Sequence, residues 1–229
     1  VSHSFGASAR LPATATTTNA NPATFTINCP AGTTVLWLGI VAGGTTARSG
    51  GAPTYDGVAM TAGRAKTNAG GTPEECAETW YMLRPPTGSA YTISVPNSGT
   101  LAMTLIAACA SAASGNTSVQ ANAAVGTGGN STNPSTTGPT GTAGDIEFSI
   151  VGNGATTWNP TGRSGTQLYD WDAGSWGVGA QYRVSAGTSG STHSWTFATS
   201  EDWVIAVDRF KEQAIVAPTV TTQAVTDIA

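Results

Sequence analysis

Residues 169–176, Tyr169-Asp170-Trp171-Asp172-Ala173-Gly174-Ser175-Trp176, gather three aromatic rings and two carboxylates in one short stretch. Aromatic faces can lie against the apolar C–H faces of a pyranose ring, while carboxylates and amides take its hydroxyls. Trp158 and Asn159, in the preceding Pro/Gly-rich turn region, can join from a neighbouring loop. The candidate glycan-binding residues are therefore Trp158, Asn159, Tyr169, Asp170, Trp171, Asp172 and Trp176. The competing reading makes Trp171 and Trp176 core residues of two paired strands and the aspartates turn residues, because tryptophan is highly buried on average.

Other chemistries find less support. Asp170 with Asp172, or Glu74 with Glu75 and Glu78, offers oxygen ligands for calcium, but no Asp-x-Asp-x-Asp-Gly loop organises them. The alternative is solvated loop charge. Thirteen acidic residues provide carboxylate pairs for glycoside hydrolysis by chance alone, without a motif to fix their spacing. His3 falls in a terminus expected to be loose, and His193 precedes Ser194 on a strand, where adjacent side chains face opposite ways. No nucleophilic triad is expected, and the chain reads as non-enzymatic. No resident cofactor is implied, with calcium as the one metal considered.

The elements that position these residues are strands. In residues 194–210, Trp195 and Phe197 alternate on one arm and Trp203, Ile205 and Val207 on the next, a closing hairpin. Residues 33–42 form a continuous apolar run, which predicts a central strand covered on both faces. Asp56-Gly57 between β-rich arms is a hairpin turn. Further strands are expected at 23–27, 78–83, 91–95, 101–110, 145–151, 166–172 and 176–184, with a weak one at 118–125. Loops are expected at 62–75 and 126–143. No stretch shows helical periodicity. The expectation is an all-β, antiparallel β-sandwich, jelly-roll-like, of about ten short strands, as one domain over residues 1–212.

Composition narrows the setting. Only 10% of residues are charged and the net charge is −4, against about 25% charged in an average globular protein. Such a Thr/Ser/Asn/Gly-rich surface suits extracellular and virion-surface β proteins. There is no basic cluster to displace counterions from phosphates, so no nucleic-acid partner is expected. No run of 18 apolar residues marks a membrane span. Few charges blunt exposed strand edges, which permits self-association by edge pairing. Cys109 lies in an apolar strand and reads as a small core residue; a Cys29–Cys76 bridge and three free thiols are both open.

Several phrases together resemble a β-sandwich module of tailed-phage minor tail and fibre proteins and of large bacterial surface proteins. These are residues 35–41 with the Gly-rich loop after them, Tyr55-Asp56-Gly57-Val58-Ala59-Met60-Thr61, Trp80-Tyr81-Met82-Leu83 running into Pro85-Pro86-Thr87-Gly88-Ser89, and Trp195 with Asp202-Trp203. Residues 213–229 read as a linker and the start of a following repeat, and 217–229 resemble the opening strand of fibronectin-III-like or immunoglobulin-like repeats. The resemblance implies a structural or adhesive bead on a virion or bacterial cell surface, and carries no catalytic residues. Glycans, other surface polymers and neighbouring surface proteins are the implied partners. The alternative is a carbohydrate-binding module of a secreted polysaccharide-degrading enzyme.

Overall fold

The computed structural model describes residues 2–11, 18–43, 50–68, 75–97, 101–115, 117–154, 160–172 and 176–213. The described residues form strands and no helix. The first half of the chain supplies β1 (His3–Leu11), β2 (Ala23–Asn28), β3 (Val35–Gly43), β4 (Thr54–Tyr55), β5 (Val58–Ala59), β6 (Thr61–Asn68), β7 (Glu75–Leu83), β8 (Ala90–Val95) and β9 (Met103–Ala112). The second supplies β10 (Thr117–Ser131), β11 (Ser135–Thr137), β12 (Ile146–Asn153), β13 (Gly162–Arg163), β14 (Thr166–Asp172), β15 (Gly177–Val184), β16 (Thr192–Thr196) and β17 (Glu201–Glu212).

These strands make four antiparallel sheets. A five-stranded sheet, β1-β9-β3-β7-β6, is backed by β2-β8-β4-β5; a second, β10-β17-β12-β15-β14, is backed by β11-β16-β13. The two five-stranded sheets face each other across a shared core that includes Val35, Trp37, Val41, Phe148, Ile150, Val204 and Phe210. The alternate residues of β3, Leu36, Leu38 and Ile40, fill a separate core beneath the backing sheet with Tyr55, Ile93 and Val95. Likewise Trp203, Ile205 and Val207 of β17 turn away from the shared core, towards Trp195 of β16. The molecule is thus a stack of four layers. Strand β3 and residues 203–207 of β17 are continuously apolar because both of their faces are covered.

The two halves have the same topology. Replacing β1, β2, β3, β4, β6, β7, β8 and β9 by β10 to β17 in order reproduces both sheet orders, the short arm β5 alone lacking a counterpart. The chain passes back and forth between the two sheets of each half in the jelly-roll manner, except that β4-β5, β6-β7 and β14-β15 follow one another within one sheet. Registers fix the equivalences: Trp37 sits between Tyr81 and Ala108, and Phe148 between Tyr182 and Asp208. Bulges also recur, after Phe5 and Val119 and after Ala62 and Gln167. With β3 against β12, β7 against β17 and β6 against β10, a pseudo-twofold runs along the β3/β12 pair.

The all-β antiparallel architecture follows the expectation, but the tally of about ten strands falls well short. Three segments account for most of the difference. The polar opening contains β1, whose alternation is muted because Ala7 and Ala9 are small. The expected 62–75 loop contains β6. The expected 126–143 loop contains the end of β10 and all of β11. In β10 the register to β17 runs through Gly126, Gly128 and Gly129, poor strand formers held by their partner strand. The cysteines differ too: Cys29 is bonded to Cys109 with Cα atoms 5.9 Å apart, and Cys76 is a buried thiol outside the disulfide. Cys29 and Cys109 lie in opposed layers of one core, a proximity the chain order conceals. The proposed repeat at 217–229 lies outside the described residues.

Candidate functional site

Of the aromatic-acidic candidates, the described side chains are those of Tyr169, Asp170 and Trp176. Trp158 and Asn159 lie outside the described residues. Trp171 and Asp172 are strand residues of β14, in register with Val178 and Gly177, and their side chains are likewise outside the described set. Trp176 is 5% exposed and belongs to the core between the two large sheets. Its ring is spent on packing, which removes it from an exposed stacking pair with Trp171. Asp170 accepts from both terminal nitrogens of Arg163, the Nη1 contact at 2.8 Å. Burial raises the Asp170 pKa, and the Arg163 hydrogen bond and charge oppose that rise.

Tyr169 has a different setting. It is half-buried at the edge of the shared core, and the Arg10 guanidinium lies 4.0 Å from its ring centroid. Arg10 comes from β1 and Tyr169 from β14, so the contact bridges the two halves. Around it is a cleft of about 190 Å³ lined by Ser8, Ala9, Arg10, Ile106, Leu168 and Tyr169.

Among the described residues, no three His, Cys, Asp or Glu side chains converge on a metal-sized site. Glu74 lies outside them. Glu75 and Glu78 are buried strand residues, not solvated loop charges. Burial, with the charges of Asp202 and Glu201 adding to it, pushes the Glu75 carboxyl up to about 9.

The densest polar cluster was not foreseen. It lies between the β10-β17-β12-β15-β14 sheet and its backing sheet. On β12, Ile146, Phe148 and Ile150 face the shared core, which leaves Glu147 and Ser149 on the other face. His193 of β16 contacts Glu147 Oε2 through Nε2 at 2.7 Å and Ser149 Oγ through Nδ1 at 2.8 Å. Arg209 of β17 donates to Glu147 Oε1 at 2.8 Å and Asp145 Oδ2 at 2.9 Å. It also donates to the Pro139, Thr142 and Gly187 carbonyls and to Ser185 Oγ. The guanidinium's five donors are all engaged. Gly141 permits the closure: a Cβ there would fall 2.2 Å from Asp145 Oδ2 and 2.3 Å from Arg209 Nε.

A serine, a histidine and a carboxylate in hydrogen-bonded series is the set used for nucleophilic catalysis, here with the two ring nitrogens exchanged between hydroxyl and carboxylate. Ser149, His193 and Glu147 are each 0% exposed. A substrate carbonyl has no approach to the hydroxyl, so the arrangement works as a buried tie between layers. The alternation of Asp145, Glu147 and Ser149 was the available signal. It reads as a solvent face until a further sheet is known to cover it.

His3 is also buried. Its Nδ1 donates to the Gly144 carbonyl at 3.0 Å and its Nε2 meets Thr117 Oγ1 at 3.0 Å. It ties the start of one half to the other, which corrects the expectation of a loose end. Burial lowers its pKa, in keeping with a neutral ring that donates on one side and accepts on the other. Asp208 sits between the halves, where Trp37 Nε1 donates to its Oδ2 at 2.8 Å. Burial pushes its carboxyl up to about 7 against hydrogen bonds from Thr79 and Trp37.

The fold and its interior define a class, a pair of jelly rolls stacked through their larger sheets. No family model, no curated protein and no solved structure matches the chain.

Proposed function

We propose that this chain is a non-enzymatic structural and adhesive module of a surface assembly, a phage tail or fibre or a bacterial surface protein. The observation that carries the reading is the use made of reactive side chains: Ser149, His193, Glu147 and Arg209 are sealed between layers and spent on one another. Such a network ties a framework together and offers nothing to a substrate. The Cys29–Cys109 disulfide supports an oxidising destination. A surface with 10% charged residues in the chain supports an extracellular one.

Antibodies raised against the purified chain test this on the organism or particle that makes it. Labelling of intact cells or virions is expected. Labelling that appears only after lysis overturns the reading.

A further inference from the structure

We propose that His3, Thr117 and Thr34 form a proton-operated relay across the joint between the two halves, with one set of hydrogen bonds when the His3 ring is neutral and the reversed set when it carries a second proton. The inference is independent of the surface reading above.

The ends of the relay fix its direction. The Gly144 carbonyl can only accept, so His3 Nδ1, 3.0 Å away, donates to it. In the neutral ring Nε2 then accepts, and its partner at 3.0 Å, Thr117 Oγ1, donates. With that proton spent on the ring, Thr117 Oγ1 accepts from Thr34 Oγ1 at 2.5 Å. Thr34 Oγ1 in turn accepts at 2.9 Å from the Ala112 amide, a group that can only donate. Gly144 and Thr117 belong to the second half, His3, Thr34 and Ala112 to the first, so the series crosses the joint at every step but the last.

A proton added at Nε2 makes the ring a donor on both sides. Thr117 must then accept from the ring and turn its own proton towards Thr34 Oγ1. Thr34 must point its proton elsewhere, and an acceptor is in place: the Ala110 carbonyl lies 3.3 Å from Thr34 Oγ1. The bond from the Ala112 amide is kept, because a hydroxyl oxygen has two lone pairs. Rotation of the two hydroxyls therefore satisfies every group in both states, and no side chain has to leave its place. His3, Thr34 and Thr117 are all buried, so the protein supplies these partners itself.

The surrounding charge sets where the proton is taken up. Burial opposes it and lowers the His3 pKa, against the Gly144 hydrogen bond and the charges of Glu212 from β17 and Asp145 ahead of β12, which favour the protonated ring. Asp145 is spent on Arg209 and Thr142. Glu212 accepts from the Ser114 amide through Oε1, while its Oε2 is buried without a hydrogen-bond partner. Glu212 is thus the carboxylate with charge to spare for an imidazolium.

Nuclear magnetic resonance of the full chain between about pH 4 and pH 8 tests the relay. In wild type the His3 ring should titrate below about 6.5 in the folded chain, and the Ala110 carbonyl carbon should shift with the same midpoint. Thr34→Val removes the hydroxyl that has to turn, and should lower the His3 midpoint by about one pH unit, a roughly tenfold weaker hold on the proton. Thr34→Ser keeps the hydroxyl and should titrate like wild type. The Ala112 amide loses its acceptor in Thr34→Val at every pH, so the midpoint and not the melting temperature is the readout. A His3 ring that titrates while the Ala110 carbonyl stays still overturns the reversal in wild type itself, whether or not Thr34→Val folds. Equal midpoints in wild type and Thr34→Val overturn it as well. A ring that stays neutral until the chain unfolds overturns the relay altogether and leaves these bonds as a fixed tie.

Discussion

The two halves share a topology and hold their layers together by opposite means. In the first, Leu36 sits between Met82 and Cys109, and Cys109 is bonded to Cys29 across an apolar core. In the second, the equivalent strand residue is Glu147, between Arg183 and Arg209, and Arg209 occupies the place of Cys109. Gly138 stands where Cys29 does, counting two residues on from the paired positions Ile27 and Thr136. One half joins its layers through a covalent bond among aliphatic side chains. The other joins them through an ion and hydrogen-bond cluster with every guanidinium donor engaged. The fold tolerates either, because what it requires at this place is a link between layers and not a particular chemistry.

In the second half the comparison is broken by removing the cation. Arg209→Met strands Asp145 and Glu147 in the interior, a change that costs about 3–5 kcal/mol in comparable buried pairs. Adding Asp145→Asn and Glu147→Gln to the same chain should recover a large part of the loss, since no uncompensated charge then remains. Denaturant unfolding of the single and triple variants measures both. A loss under about 1 kcal/mol for Arg209→Met would mean that water reaches the cluster.

The first half answers to redox conditions. Its disulfide spans a sequence separation of 80 residues, so opening it restores chain entropy worth about 4–5 kcal/mol to the unfolded state in the loop-closure model. Reduction, or Cys29→Ala with Cys109→Ala, should lower stability by that order. Amide exchange should rise first in β2, β8 and β9, leaving β12 and β17 protected. Uniform exchange in both halves would show that they unfold as one unit.

The shared core carries a pH signature. Asp208 takes the place of Ala108, and its carboxyl is pushed up to about 7 in the folded chain from about 4 when unfolded. The folded state therefore binds the proton more tightly, and this group's contribution to stability falls as pH rises from about 4 to about 7. His3, with its lowered pKa, works in the opposite sense below about 6.5. The difference between wild type and Asp208→Asn isolates the aspartate. The variant should gain on wild type by a few kcal/mol at most between pH 5 and pH 8, while still able to accept from Trp37. Parallel stability curves would place the titration elsewhere.

What was legible in the sequence follows the same division. The run at 33–42 and the alternation of 203–207 announce strands plainly, because large apolar side chains point both ways or alternate cleanly. The Asp56-Gly57 turn is present with positive φ at both residues. The duplication left fainter traces, Gly88-Ser89 with Ile93 and Val95 against Gly190-Ser191 with Trp195 and Phe197, and Pro30-x-Gly32-Thr33 against Pro139-x-Gly141-Thr142. Those traces are short because core positions have exchanged size and polarity between halves, as Cys109 and Arg209 show. The cleft was half visible: Tyr169 was marked for its ring, while Arg10 lies in a remote strand that only the second half's packing brings near.

The smallest effect bears on how far the halves have diverged. Across the pseudo-twofold, Trp37 stacks on Phe148 with ring centroids 5.3 Å apart. A Cβ on Gly39 would meet Ile150 Cδ1 at 2.9 Å, and one on Gly152 would meet Val41 Cγ1 at 2.6 Å. Each half thus gives one projection and one recess, and they interlock. Two copies of the first half would set Trp37 on Trp37, Gly39 on Gly39 and Val41 on Val41, with no such fit. Gly152→Ala should therefore cost about 1–3 kcal/mol by overpacking, and Val41→Ala a similar amount by leaving a cavity. Combined, they should cost less than their sum by about 1 kcal/mol, because the added methyl enters space that the shortened valine leaves. Strict additivity in denaturant unfolding would mean that the sheets meet there without interlocking, and that either half could still pair with its own copy.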